Sequence, residues 1–368
     1  MEVWGLPADL TDFVGRQAEL DRLLSWADRV VDLGYPPVII SGGPGMGKTS
    51  FAVHAGHRLA ARFPDGQIFV DLRGAKPHET LGTLLCALGV PEGELPSSLE
   101  QRTGLFRVLA RDRSVLFVLD NAEDEAQVRP LLAGGGRSLF ILASRRTLAG
   151  LDAGRRIPLA RFGREESLTL LGLIAGWHRV DAQPREATEV ARACGRLPLA
   201  LRIAGNRLAV RPGWAFRDLA HRLRDERTRL SWLVAGDLAM RPALRTSYDR
   251  LGPTAQRLFR RLSIAPDGIA TVPVAAALLE PDGDCAELVL EELVDASLLA
   301  STPSPDRYRL EGPLRLLAHE LLHQQEPVSL VFRLFAEMGA TAPFGGAAVT
   351  SAPRSSSPSL LPSGRFAS

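Results

Sequence analysis

The stretch that most constrains this chain is Val38-Ile39-Ile40-Ser41-Gly42-Gly43-Pro44-Gly45-Met46-Gly47-Lys48-Thr49. A β-branched run stops at a glycine cluster, and Lys48-Thr49 opens an apolar segment, Ser50 to Ala55, that suits a helix. Gly42 to Thr49 spells G-x-x-x-x-G-K-[ST] between strand and helix, the setting of a phosphate-binding loop. The chemistry explains the spacing. Glycines let successive backbone N–H groups turn inward as an anion nest, and the next helix presents its positive end to phosphate. The candidate phosphate-binding residues are therefore Gly42, Gly43, Gly45, Met46, Gly47, Lys48, Thr49 and Ser50. Lys48 would reach the β- and γ-phosphates, and the Thr49 hydroxyl would ligate Mg²⁺. A chance match somewhere in the chain is about a two-in-a-thousand event by frequency product. Lysine is itself scarce here, since Lys48 and Lys76 are the two lysines among 44 basic residues. The sequence predicts a nucleoside-phosphate binder.

Bulk composition narrows the class. At 368 residues the chain is long enough for two or three domains, and 45% hydrophobic with 23% charged residues is globular. A formal charge of +2 does not by itself argue for a nucleic-acid partner. Cys86, Cys194 and Cys285 lie far apart without metal-ligand spacing, which predicts buried reduced thiols. No signal-peptide pattern opens the chain and no apolar run approaches ~18 residues, so a soluble cytoplasmic protein without membrane contact is expected.

Strand and helix signals alternate through the first part of the chain. Asp12 is a plausible cap for a helix carrying Leu20, Leu23, Leu24 and Ala27 on one face. After the phosphate loop, strands are predicted at 67–72, 115–120, 138–143 and, more weakly, 156–159. The run Val115-Leu116-Phe117-Val118-Leu119 is apolar throughout, as in a strand covered on both faces. This pattern implies a parallel sheet with helices on both sides and functional groups at the carboxyl ends of the strands. Beyond about residue 161 the signals are helical, including one charged amphipathic helix over 217–233. Between 238 and 323, helices, a two-strand hairpin and a last helix from Pro313 suggest a winged-helix module. The stretch 340–368 is dense in Ser, Pro, Gly and Ala and reads as a disordered tail. The expected domains are 1–160, 161–237 and 238–326, with a largely disordered tail over 327–368. No repeat of 20–50 residues is visible.

Two further positions carry chemistry. Asp120 ends an apolar strand about 70 residues after the phosphate loop, the place of a Walker B carboxylate that holds Mg²⁺ with Thr49. The next residue, Asn121, cannot accept a proton from an attacking water, and neither Glu123 nor Asp124 can be placed from sequence, so the catalytic base is unassigned. Arg145 follows the 138–143 strand and would point to the γ-phosphate edge, where its fixed charge could tell ATP from ADP. Alternatively it is one more solvated arginine in an arginine-rich chain.

Together these residues resemble the NB-ARC branch of the STAND NTPases, and most of all the NTPase core of actinobacterial AfsR-type regulators. The resemblance runs from about Phe13 to His323. Phe13-Val14-Gly15-Arg16 matches the family's opening motif, which implies that Val14, Gly15 and Arg16 wrap adenine and ribose. Leu119-Asp120-Asn121-Ala122 matches the Walker B segment and Ser144-Arg145 the sensor element. Gly195-Arg196-Leu197-Pro198-Leu199 matches the GLPL element, whose proline, Pro198 here, packs on adenine. Ser247-Tyr248-Asp249-Arg250-Leu251 matches the start of the winged-helix region. Two positions depart from the pattern: Arg196 replaces a glycine, and Glu311-Gly312 replaces a His-Asp pair that senses ADP. The resemblance implies ATP or ADP with Mg²⁺ as cofactors, and an ATP/ADP-binding regulatory switch acting through a protein partner or self-oligomer. An AAA-like ATPase remodelling a partner and a DNA-binding regulator are the alternatives, direct DNA contact being the less expected.

Overall fold

The computed structural model describes residues 5–28, 36–132, 136–152, 154–280, 285–304, 306–310 and 312–337. Its first body opens with α1 (Gln17–Asp28), which buries Leu20, Leu23 and Ala27. Strands and helices then alternate through β1 (Val38–Ser41), α2 (Lys48–Leu59), β2 (Gly66–Asp71), α3 (Pro77–Ala87), α4 (Leu99–Arg111), β3 (Val115–Ala122), α5 (Glu125–Val128), β4 (Leu139–Ser144) and β5 (Arg155–Pro158). The five strands form one parallel sheet in the order β2-β3-β4-β1-β5. Side chains alternate between two faces along each strand, so each face carries its own core. Phe117 and Phe140 stack at 4.7 Å on the face under α3 and α4, while Ile40, Phe51 and Ile141 pack under α1 and α2. Burial on both faces is why β1 and β4 tolerate no charged residue.

The second body is helical: α6 (Arg164–Ala175), α7 (Trp177–Ala182), α8 (Pro184–Ala193), α9 (Pro198–Ala209), α10 (Phe216–Arg224) and α11 (Glu226–Trp232). The single helix expected over 217–233 is two. Asp225 leaves the helical region at φ −72° and ψ 108°, and its carboxylate accepts from the Arg227 N–H at 3.0 Å, capping α11. The short helix α7 was not legible in the sequence.

A hairpin of β6 (Val234–Ala235) and β7 (Leu238–Ala239) leads to α12 (Met240–Tyr248) and α13 (Pro253–Arg261). Then come β8 (Ile269–Thr271), α14 (Val272–Leu279), α15 (Ala286–Asp295), β9 (Ala300–Ser301), β10 (Arg307–Arg309), α16 (Pro313–Gln325) and α17 (Val328–Glu337). The expected two-strand hairpin gains a third strand, in the antiparallel order β8-β10-β9. One continuous apolar core runs from Phe162 to Leu334, so no gap in packing marks the boundary expected at residue 237. Helix α17 occupies the start of the stretch expected to be tail, with Val331 and Leu334 buried. The Ser/Pro/Gly-rich stretch from 340 lies outside the described residues, as does Glu311. None of the cysteines forms a disulfide; Cys194 is buried, whereas Cys86 and Cys285 are only half-buried, against expectation. Among the described residues no helix is long and apolar enough to cross a membrane.

Candidate nucleotide site

The carboxyl ends of β1, β3 and β4 bring the sequence-predicted groups to one edge of the sheet. The loop after β1 turns through positive φ at Gly42 (150°), Gly45 (77°) and Gly47 (81°). The φ of Gly45 favours glycine, and a Cβ there would also press on the Met240 methyl of α12 at 3.0 Å. Lys48 folds back beneath this loop, its Nζ donating to the carbonyls of Gly42 at 2.7 Å and Gly43 at 2.9 Å. Burial there pushes its pKa down to about 7; Arg145 adds to the depression and Asp120 opposes it. Helix α2 begins at Lys48, so its unpaired N–H groups face the same space.

Thr49 and Asp120, predicted as the metal pair, meet directly: the Thr49 hydroxyl donates to the Asp120 carboxylate at 2.8 Å. Asp120 is 4% exposed, and burial raises its pKa above the ordinary value despite the Thr49 hydrogen bond. Asn121 sits at φ 56°, where β3 slips register, and its amide donates to both Asp120 (2.9 Å) and Asp71 (3.0 Å). It therefore ties together the two carboxylates that end β2 and β3. Both acids after it are engaged in hydrogen bonds. Glu123 accepts from Gly74 N–H at 3.1 Å and pairs with Arg250 at 2.5 Å, and Asp124 caps α5.

Arg145 does not extend freely toward the loop. It lines the cleft, but its Nη1 donates to the Ala243 carbonyl at 2.7 Å and the Ser247 hydroxyl at 3.0 Å, both on α12. It is neither a solvated surface arginine nor pointed solely at the phosphate edge.

Of the proposed base-binding residues, Val14, Arg16 and Pro198 line the same cleft, whose volume is about 340 Å³, whereas Gly15 is not among its lining residues. Phe13, Phe162 and Leu170 line the cleft with them. Gly15, at φ 69°, backs onto the Glu166 carboxylate. Arg16 is buried; it donates to the Ala160 carbonyl, pairs with Glu19 at 3.4 Å and lies 5.0 Å over the Phe162 ring. Pro198 opens α9, and the next N–H, that of Leu199, donates to the Gly45 carbonyl at 3.1 Å, so the GLPL-like element is hydrogen-bonded to the phosphate loop. Arg196 adopts φ 53°, a region that favours the glycine it replaces. Met46 packs against the sheet core under α1 and α2 and also against the helical core, and Ser50 lines the cleft beside it.

Sequence reasoning missed the clamp on this cleft. Asp12, expected to cap α1, instead makes a two-pronged ion pair with Arg202 at 2.7 and 2.9 Å. Arg202 lies one helical turn past Pro198, a spacing that could have flagged it. The contacts of Ser247 with Arg145 and of Met240 with Gly45 carried no signal, because the partners are distant in sequence.

No protein-family profile matches the chain. It is similar to the regulatory protein AfsR of Streptomyces coelicolor, 41% identical over 331 residues that cover 87% of this chain and 33% of the relative. It is likewise similar to AfsR of Streptomyces griseus, at 40% over 329 residues with the same coverage. Disease resistance protein RML1A of Arabidopsis thaliana is 26% identical over 336 residues, 87% of this chain and 32% of that protein. The chain thus spans about a third of the length of these relatives. Among solved structures, the Walker-type ATPase of Pyrococcus abyssi shares the fold, with a TM-score of 0.56 at 13% identity, covering 86% of this chain and 97% of that one. The fold is that of a P-loop NTPase, and the chain resembles the AfsR regulators.

Proposed function

We propose that this chain, a P-loop NTPase that resembles AfsR, is a nucleotide-operated regulatory switch. The observation that carries the reading is the double position of Arg145, on the phosphate cleft yet hydrogen-bonded to α12. A γ-phosphate would compete with α12 for that guanidinium, whereas a nucleotide ending at the β-phosphate would leave it in place. Any nucleotide switch needs such a difference between its two ligands. The residues suit Mg-ATP or Mg-ADP. Lys48, buried without an anion beyond Asp120, offers its ammonium, the bare loop offers N–H groups, and Thr49 with Asp120 form the hard oxygen pair that Mg²⁺ prefers. Bound there, the metal would neutralise phosphate charge. Asn121 cannot act as a base, which favours slow turnover and a long-lived switch over a motor. Regulation would pass through a protein partner or a second copy, to which the placement of α12 would be visible, and cytoplasmic location fits this role.

Thermal unfolding with Mg-ATP and with Mg-ADP tests the reading. At 100 times the dissociation constant, either ligand should add about 2.7 kcal/mol to the folded state. At one common nucleotide concentration the ATP and ADP shifts should differ less in Arg145→Ala than in the native chain, and Lys48→Ala should abolish both shifts. If neither nucleotide moves the midpoint of the native chain, the reading fails.

A further inference from the structure

Helices α9 and α10 and the connection between them carry three arginines, Arg207, Arg222 and Arg211, that do not line the nucleotide cleft. Arg211 lies 4.8 Å from the Trp214 ring. Arg222 lies 4.2 Å from Trp214 and 5.4 Å from Trp232, and Arg207 is 5.0 Å from Trp232. The two indoles are 6.3 Å apart. In space the order is Arg211, Trp214, Arg222, Trp232, Arg207: three cations alternating with two rings.

Among the described residues, no carboxylate forms an ion pair with an arginine of this ladder. Nearby Arg202, Arg224 and Arg229 each pair with a carboxylate. Among the described residues, by contrast, Arg207, Arg211 and Arg222 give their hydrogen bonds to the main-chain carbonyls of Val234, Arg207 and Asp218. The charged groups that bear on Arg207 are the other two arginines, and its Nε is buried without a hydrogen-bond partner. Ring faces offset some of this repulsion through cation–π attraction. They also hold the guanidinium planes fixed, so binding an anion costs little further side-chain entropy. Because guanidinium groups already occupy the indoles, the rings are poor platforms for stacking nucleobases. An extended polypeptide rich in carboxylates needs no ring and matches the planar donors.

We propose that the Arg207–Arg211–Arg222 ladder is a docking surface for a carboxylate-rich segment of a partner protein. The test is fluorescence anisotropy of a labelled acidic decapeptide titrated with the full chain. The native chain should bind it with an affinity that falls as salt rises. Arg211→Gln/Arg222→Gln should weaken binding by about tenfold or more, the range of charge-assisted contacts. Arg211→Lys/Arg222→Lys, which keeps the charge but not the planar stack, should fall between. Each variant's melting curve with and without Mg-nucleotide reports that the remainder is folded. Unchanged peptide affinity in the Gln variant would mean that the arginines only brace the tryptophans, and would overturn the proposal. So would a short DNA duplex that displaces the peptide at lower phosphate than carboxylate concentration.

Discussion

The sheet body and the helical body solve the same task, building a cleft, by different means. In the sheet body the candidate phosphate-binding groups are set by backbone: positive φ at three glycines, the start of α2 and the carboxyl ends of β1 and β3. The helical body reaches that cleft through a few long-range contacts. Leu199 N–H bonds Gly45, Arg202 pairs with Asp12, Ser247 accepts from Arg145, and Asp295 accepts from Thr147 at 2.9 Å. The two bodies also keep separate cores, with Met46 as a shared contact. The proposed switch requires two halves whose mutual contacts can be exchanged, and polar contacts of this kind, beside the packing of Val14 and Met46 on the helical core, are the ones it would exchange.

The largest effects should show whether the halves are energetically separate. Phe117→Ala in the sheet core and Phe259→Ala in the helical core remove fully buried rings, each costing about 3–5 kcal/mol. In urea, each should move a different transition. A single transition shifted equally by both would break the comparison, because the bodies would then unfold as one unit.

Next in size is the Arg145 contact. Ser247→Ala removes a hydrogen bond to a charged, largely enclosed group and should loosen α12 by roughly 1.5–3 kcal/mol. Hydrogen exchange should rise in α12 and remain unchanged in β1 and β3. Equal exchange in both would show that α12 is held by its core packing alone.

Acid should weaken the helical body first. His319 on α16 has its pKa lowered to about 4 by burial, with His323 and Arg315 adding to the effect. Above about pH 6.5 both folded and unfolded forms are neutral, and this ring contributes no slope. Between about 6.5 and 4 the unfolded chain takes up a proton that the folded chain refuses, so stability falls as pH falls through that window. For this half-exposed ring the loss should be roughly 1 kcal/mol after solvent screening. His319→Gln should flatten the pH dependence of the helical transition between pH 6.5 and 4, and an unchanged slope would exclude His319 as its source.

The smallest expected effect is a gain. Arg196→Gly relieves a left-handed residue, offset by the greater freedom of glycine in the unfolded chain, for a net stabilisation of up to about 1 kcal/mol. A lower midpoint in thermal unfolding would mean that the arginine side chain contributes more than its backbone conformation costs.

The legibility of this molecule follows the same division. Gly42–Thr49, Asp120 and the positions of the buried strands along the chain could be read directly, because local backbone geometry and apolar runs require particular residue types at fixed spacing. The split at Asp225 was hidden, since an aspartate in an amphipathic run reads equally as helix surface or cap. Arg145 was legible as a strand-end arginine, but not its partner, because Ala243 offers a carbonyl that every residue has. Asp12 was read as a cap for want of any sign of Arg202, which lies 190 positions away.

What the amino-acid sequence alone determined, then, is the glycine loop between β1 and α2, the candidate phosphate site, since strand, glycine turn and helix start are consecutive and their geometry is local. Only the tertiary structure decided what Arg145, Asp12 and Asn121 do. Each of those roles depends on which oxygen stands within about 3 Å, and that is settled by how separate cores pack together.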